Sequence, residues 1–109
     1  MIRSVLAQIL PSITTLTDAY IVAQNRIASL GAIVITNQAN TNASCRVSIA
    51  LAGSADDLKQ YIIYDLELCP NETIDFTLPL ILNKTDVIRV YSSSGSISFN
   101  ILGSETPTQ

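Results

Sequence analysis

The residues in this chain that could do chemistry are few and scattered. Asp18, Asp65, Glu67 and Asp75 are carboxylates inside segments of alternating polarity, and a glycosidase would need two of them facing one another with one pKa raised. Asp65 and Glu67 stand two residues apart, the spacing of neighbours on one solvated strand face. Ser92, Ser93, Ser94 and Ser96 surround Gly95, but the chain has no His to activate a hydroxyl, so this cluster reads as a turn. Asp56-Asp57 and Asn71-Glu72 supply oxygen ligands without the spacing of a calcium loop and read as ordinary connections. Cys45 and Cys69 are the only thiols, too few for a metal site within one chain that lacks His. No catalytic residue, cofactor or metal is expected, and the chain is not expected to be an enzyme.

The tyrosines offer binding chemistry instead. Tyr20, Tyr61, Tyr64 and Tyr91 could stack on sugar rings, or they could meet another protein. Alternation over 61–68 puts Ile62, Tyr64, Leu66 and Leu68 on a buried face, leaving Tyr61 and Ile63 with Asp65 and Glu67 on the other. Tyr61 and Ile63 are therefore candidate protein-interface residues. Tyr91 lies in line with Val87 and Arg89 in a segment that is apolar on both faces, which requires a central position or a covering partner. Partner contact is preferred to sugar, since Trp, the strongest stacking residue, is absent.

These side chains must be positioned by strands. In 74–82 the even positions are Ile74, Phe76, Leu78, Leu80 and Leu82, while Asp75, Thr77 and Pro79 occupy odd ones, a segregation that a 3.6-residue helix cannot produce. Ile97, Phe99 and Ile101 alternate in the same way, and Cys45 shares parity with Val47, Ile49 and Leu51, which places it on a buried face as a reduced core cysteine. A bond from Cys45 to Cys69 requires two strand ends to meet. Strands are expected at 15–22, 27–36, 44–52, 61–68, 74–82, 87–92 and 96–102, separated by turn-forming runs such as Pro70-Asn71, Asn83-Lys84 and Ser93-Ser94-Gly95. Pro79 removes a ladder donor, so its strand is an edge or is bulged there. Residues 15–30 carry two patterns. Leu16, Ala19, Tyr20, Ala23, Ile27 and Leu30 make a helical stripe, whereas the β-branched run and Gln24-Asn25 favour strand–turn–strand, the preferred reading. A single helical turn is allowed over 55–60.

The expected fold is all-β: one antiparallel β-sandwich of seven or eight strands, jelly-roll or immunoglobulin-like, built from an N-terminal arm (1–10), the sandwich (11–103) and a flexible polar tail (104–109). A chain of 109 residues can bury a self-sufficient core. Only 14% of it is charged, so part of its surface is expected to meet protein, with a homo-oligomer as one outcome. A net charge of −3 with singly scattered basic residues disfavours nucleic acid, and no stretch approaches a membrane span or a signal peptide. Ile2, Val5, Leu6 and Ile9 make the arm too apolar to float, so it must dock on its own sandwich or on a neighbour, and these four join Tyr61 and Ile63 as contact candidates.

In order along the chain, Thr15-Leu-Thr-Asp-Ala-Tyr-Ile-Val22, Ile33-Val-Ile-Thr-Asn37, Arg46-Val-Ser-Ile-Ala50, Gln60-Tyr-Ile-Ile-Tyr-Asp65, Asn71-Glu-Thr73, Thr85-Asp-Val-Ile-Arg-Val-Tyr91 and Ile97-Ser-Phe-Asn-Ile101 resemble a family of small β-sandwich virion proteins of tailed bacteriophages. The order is more specific than any single segment. Ala23-Gln-Asn-Arg26 departs from the family pattern, in which a turn containing Pro or Gly is usual. The resemblance implies a non-enzymatic virion part, a capsid decoration (cement) subunit on the major capsid protein or a neck, tail or fibre-attachment adaptor, assembled in the host cytoplasm. A carbohydrate-binding receptor module is the rival from another class.

Overall fold

Alternation of apolar and polar residues becomes eight strands in the computed structural model, which describes residues 4–107. They are β1 (Ser4–Ile9), β2 (Thr17–Ile21), β3 (Arg26–Asn37), β4 (Ala43–Ala50), β5 (Tyr61–Leu68), β6 (Thr73–Leu82), β7 (Val87–Ser92) and β8 (Ile97–Pro107). They form two four-stranded antiparallel sheets, β1-β8-β3-β6 and β2-β7-β4-β5. An immunoglobulin arrangement pairs its first two strands in one sheet. Here β1 and β2 lie in different sheets, and of the consecutive strands only β4 and β5 are paired neighbours, so the order is that of a jelly roll. Among the described residues no helix is long and apolar enough to cross a membrane.

The core lies between the sheets. Ile33, Ile35, Ile97, Phe99 and Ile101 from one sheet and Cys45, Val47, Leu68, Ile88 and Val90 from the other are almost fully buried. Each large apolar side chain withdrawn from water in this way contributes about 1.5–3 kcal/mol. Even-numbered residues of β6 pack against this core while Asp75, Thr77, Pro79 and Ile81 stay exposed. Both readings of Pro79 hold, because β6 is an edge strand and its register against β3 shifts across Leu78 and Pro79. In β3 the buried parity changes from Ala28 and Leu30 to Ile33 and Ile35, with an irregularity at Gly31. A Cβ at Gly103, beside this irregularity, would lie 2.3 Å from the Ser29 carbonyl oxygen, so β8 can approach β3 only with glycine there.

Several expectations are sharpened and one, the loose tail, is corrected. Residues 17–37 are strand–turn–strand, without helix, but β2 and β3 belong to different sheets and make a crossover instead of a hairpin. The stretch after 103, expected as a loose tail, continues β8 through Pro107: Ser104 to Pro107 pair with Ser29 to Arg26, since a backbone ladder needs no apolar side chains. The arm docks on its own sandwich as β1, paired with β8. The turn over 55–60 is a 3₁₀ turn at Leu58–Gln60, capped by Asp57, whose carboxylate accepts from the Lys59 amide at 3.1 Å.

Buried polar side chains tie the loops at each end. The Asn37 side-chain amide donates to the carbonyls of Thr41 (2.9 Å) and Cys69 (3.1 Å), joining the β3–β4 and β5–β6 connections. At the opposite end Asp86 accepts from the Ala52 amide (2.8 Å) and the Asn83 amide (2.9 Å), joining the β4–β5 and β6–β7 connections. Both are satisfied buried groups whose loss would leave backbone donors or acceptors unpaired.

Candidate functional site

Chemistry-bearing side chains converge on the outer face of the β2-β7-β4-β5 sheet, and an irregular β5 brings them there. Cys45 pairs with Leu66, Val47 with Ile63 and Ser48 with Tyr61, so β5 carries an extra residue on each side of Ile63. Asp65 lies between Leu66 and Ile63 with φ 52°, a left-handed conformation that Asp tolerates at a cost of about 1 kcal/mol. Leu66 and Leu68 therefore face the core as alternation predicts, whereas Ile63 packs against the core and Ile62 and Tyr64 are turned to solvent, 44% and 51% exposed. Three sequence-based placements are overturned by these bulges: Ile62 and Tyr64 are not core residues, and Ile63 is not an exposed contact residue.

Once turned outward, Tyr64 meets Arg46. The Arg46 guanidinium lies 4.3 Å from the centre of the Tyr64 ring and 4.7 Å from that of Tyr91. Its Nε donates to Asp65 at 2.6 Å and one terminal nitrogen donates to the other carboxylate oxygen at 3.3 Å, a bidentate pair that stabilises the charged guanidinium and raises its pKa. Tyr61 packs edge-on against Tyr64, with ring centres 5.2 Å apart, and donates its hydroxyl to Asp56 at 2.9 Å. Burial, then the hydrogen bond to Asp56, raises the Tyr61 pKa. Tyr61 is half-buried at the rim of this cluster. Ser48, opposite Tyr61, is fully buried, and among the described residues its Oγ has no hydrogen-bond partner.

The next row of the face is an ion pair. Arg89 donates to Asp18 at 3.0 Å and to the carbonyls of Ser54 and Gly53 at 2.8 and 3.3 Å, which holds the β4–β5 connection across the sheet. Under that connection is an open depression of about 400 Å³ lined by Ile49, Leu51, Ser54, Lys59 and Gln60. Leu51 and Leu58 beside it are 66% and 76% exposed.

The remaining candidates separate. Leu6 and Ile9 of β1 pack against the protein's own core and Val5 is exposed; Ile2 lies outside the described residues. Glu67 and Asp75 are exposed on different sheets, and Asp18 and Asp65 are each paired with an arginine, so the strand carboxylates do not converge. The serine loop is a turn: Ser92 Oγ donates to the Ser94 carbonyl and accepts from the Ser94 amide, and Ser93 Oγ accepts from the Ser44 amide at 2.9 Å. Cys45 is a buried free thiol whose pKa burial pushes up to about 11, and Cys69 is an exposed one.

No protein-family model matches the chain, and no curated protein or solved structure matches it. Its function has to be argued from these residues.

Proposed function

We propose that this chain is a non-enzymatic structural protein of a bacteriophage virion, a decoration subunit that binds the major capsid lattice as a homo-oligomer. The observation that carries this reading is the large apolar side chains held in water beside the β4–β5 connection, Leu51, Leu58 and Ile62, on a chain with only 14% charged residues. Exposed apolar surface of this kind suits a subunit covered by neighbours in an assembly. The ordered resemblance of its segments to virion proteins and the jelly-roll framework, which capsid proteins also use, support the same reading. An acidic surface is repelled by packaged DNA, which favours a site outside the shell. Weak contacts repeated by symmetry would hold such a subunit on the lattice by avidity.

The copy number of the chain per purified particle, measured by quantitative mass spectrometry against the major capsid protein, tests the reading. Hundreds of copies are expected. A dozen or fewer would assign the chain to a neck, tail or fibre-attachment adaptor instead, and absence from particles would remove it from the virion.

A further inference from the structure

We propose that the outer face around Arg46 binds a neutral saccharide, with the Tyr64 ring as its stacking platform. The inference is independent of whether the chain resides in a particle, since it rests on the geometry of β4, β5, β7 and the β4–β5 connection. A left-handed Asp65 and two extra residues in β5 are the backbone cost of carrying Tyr64 out of the position that simple alternation would give it, and bulges recur where a strand re-aims a side chain for use. The result is a flat aromatic ring, half open to water, bordered by fixed hydrogen-bonding groups: the Asp65 carboxylate, the Arg46 guanidinium, the Tyr61 hydroxyl and Asp56. A pyranose needs this combination, an apolar C–H face against a ring and hydroxyls against paired donors and acceptors. Because Arg46 is already clamped by Asp65 and sits against two rings, little freedom is lost when a ligand lands.

Charge narrows the ligand further. A cationic ligand would compete for the position that Arg46 already holds against Tyr64 and Tyr91. An anionic one would find the guanidinium neutralised by Asp65, with Asp56 adding negative charge. A neutral sugar, stacking on the side of the Tyr64 ring turned to water, needs neither the position of the guanidinium nor its free charge. A protein partner would have to cover a far wider area, about 800 Å², across a face that also exposes Glu67 and Asp56.

The test is a titration of the full chain with glucose-, galactose-, mannose- and N-acetylhexosamine-based oligosaccharides and their sialylated and uronic counterparts, read from the NMR signals of the tyrosine rings. Shifts at Tyr64, Tyr61 and Tyr91 with a neutral sugar are expected, with affinity reduced at least about tenfold in Tyr64→Ala, largely kept in Tyr64→Phe, and unchanged in Ile81→Ala on the opposite sheet. Circular dichroism of each variant confirms that the fold is retained. The proposal is overturned if no neutral sugar moves the tyrosine signals at tens of millimolar, if the acidic sugars bind better, or if Tyr64→Ala binds as the parent does. It is also overturned if no sugar binds and Tyr64→Ala instead fails to join the particle, which would make this face a protein contact while leaving the virion reading intact.

Discussion

Strands β5 and β6 are both sheet edges, and both are written as runs of alternating residues, yet they end differently. In β6 the even residues face the core from Ile74 to Leu82, and the register shift near Pro79 is absorbed by β3, whose own parity changes at Gly31. In β5 the partner strand β4 keeps an unbroken register with β7, so the extra residues have to be taken up within β5, which turns Tyr64 outward and Ile63 inward. One edge thus completes the core while the other also builds a surface site. An alternating sequence specifies a face only while its register is continuous.

The largest expected effects are where the two edges agree. Leu82→Ala in β6 and Leu68→Ala in β5 remove almost fully buried side chains, and each should destabilise by about 2–5 kcal/mol in urea unfolding; a small effect at Leu68 would mean that β5 does not return to the core after its bulge. A sharper contrast comes next. Phe76→Ala should cost about 2 kcal/mol, whereas Tyr64→Ala should stay within about 0.5 kcal/mol, although alternation alone ranks the two residues as equals.

Cys45, paired with Leu66 just beyond the bulge, reports on the same point through pH. Burial raises its folded pKa from 9.0 to about 11, so between those values the unfolded chain loses its thiol proton first and the folded state binds more protons. Stability is therefore undiminished by this group below about pH 9 and should fall as pH rises toward about 11, with Cys45→Ala reducing the slope. A thiol reagent should titrate Cys69 alone in the native protein and both cysteines in denaturant. The smallest change is expected at Ser48→Ala, within about 0.5 kcal/mol or slightly stabilising, because the hydroxyl removed is buried without a partner among the described residues.

Much of the fold was legible because the buried positions of β6 and β8 are chemically distinct from their neighbours: Phe99 between Ser98 and Asn100 leaves one arrangement. The choice of jelly roll over immunoglobulin order was not, since it depends on which distant strands pair, and local alternation carries no such information. The strand character of 104–107 was hidden because its polar side chains pattern nothing; what holds it is the ladder to β3, joined by a hydrogen bond from Tyr20 to Glu105 between the sheets. The Arg46 cluster was missed for a different reason. Tyr61-Ile-Ile-Tyr64 is apolar at four successive positions, so both faces of that segment fit the sequence equally well. The available signal was that continuous apolar run, followed by Asp65, a residue type that accepts a left-handed turn of the chain.

Site-directed labelling tests the reversal in β5 most directly. With Cys69→Ser as background and Cys45 buried, Tyr64→Cys and Ile63→Cys each place one reporter thiol on the strand, and their rates with a neutral alkylating reagent are compared under native conditions. Markedly faster labelling of Tyr64→Cys than of Ile63→Cys is the predicted result. Protection at 64 with rapid labelling at 63 would restore simple alternation, return Tyr64 to the core and dissolve the outer-face site.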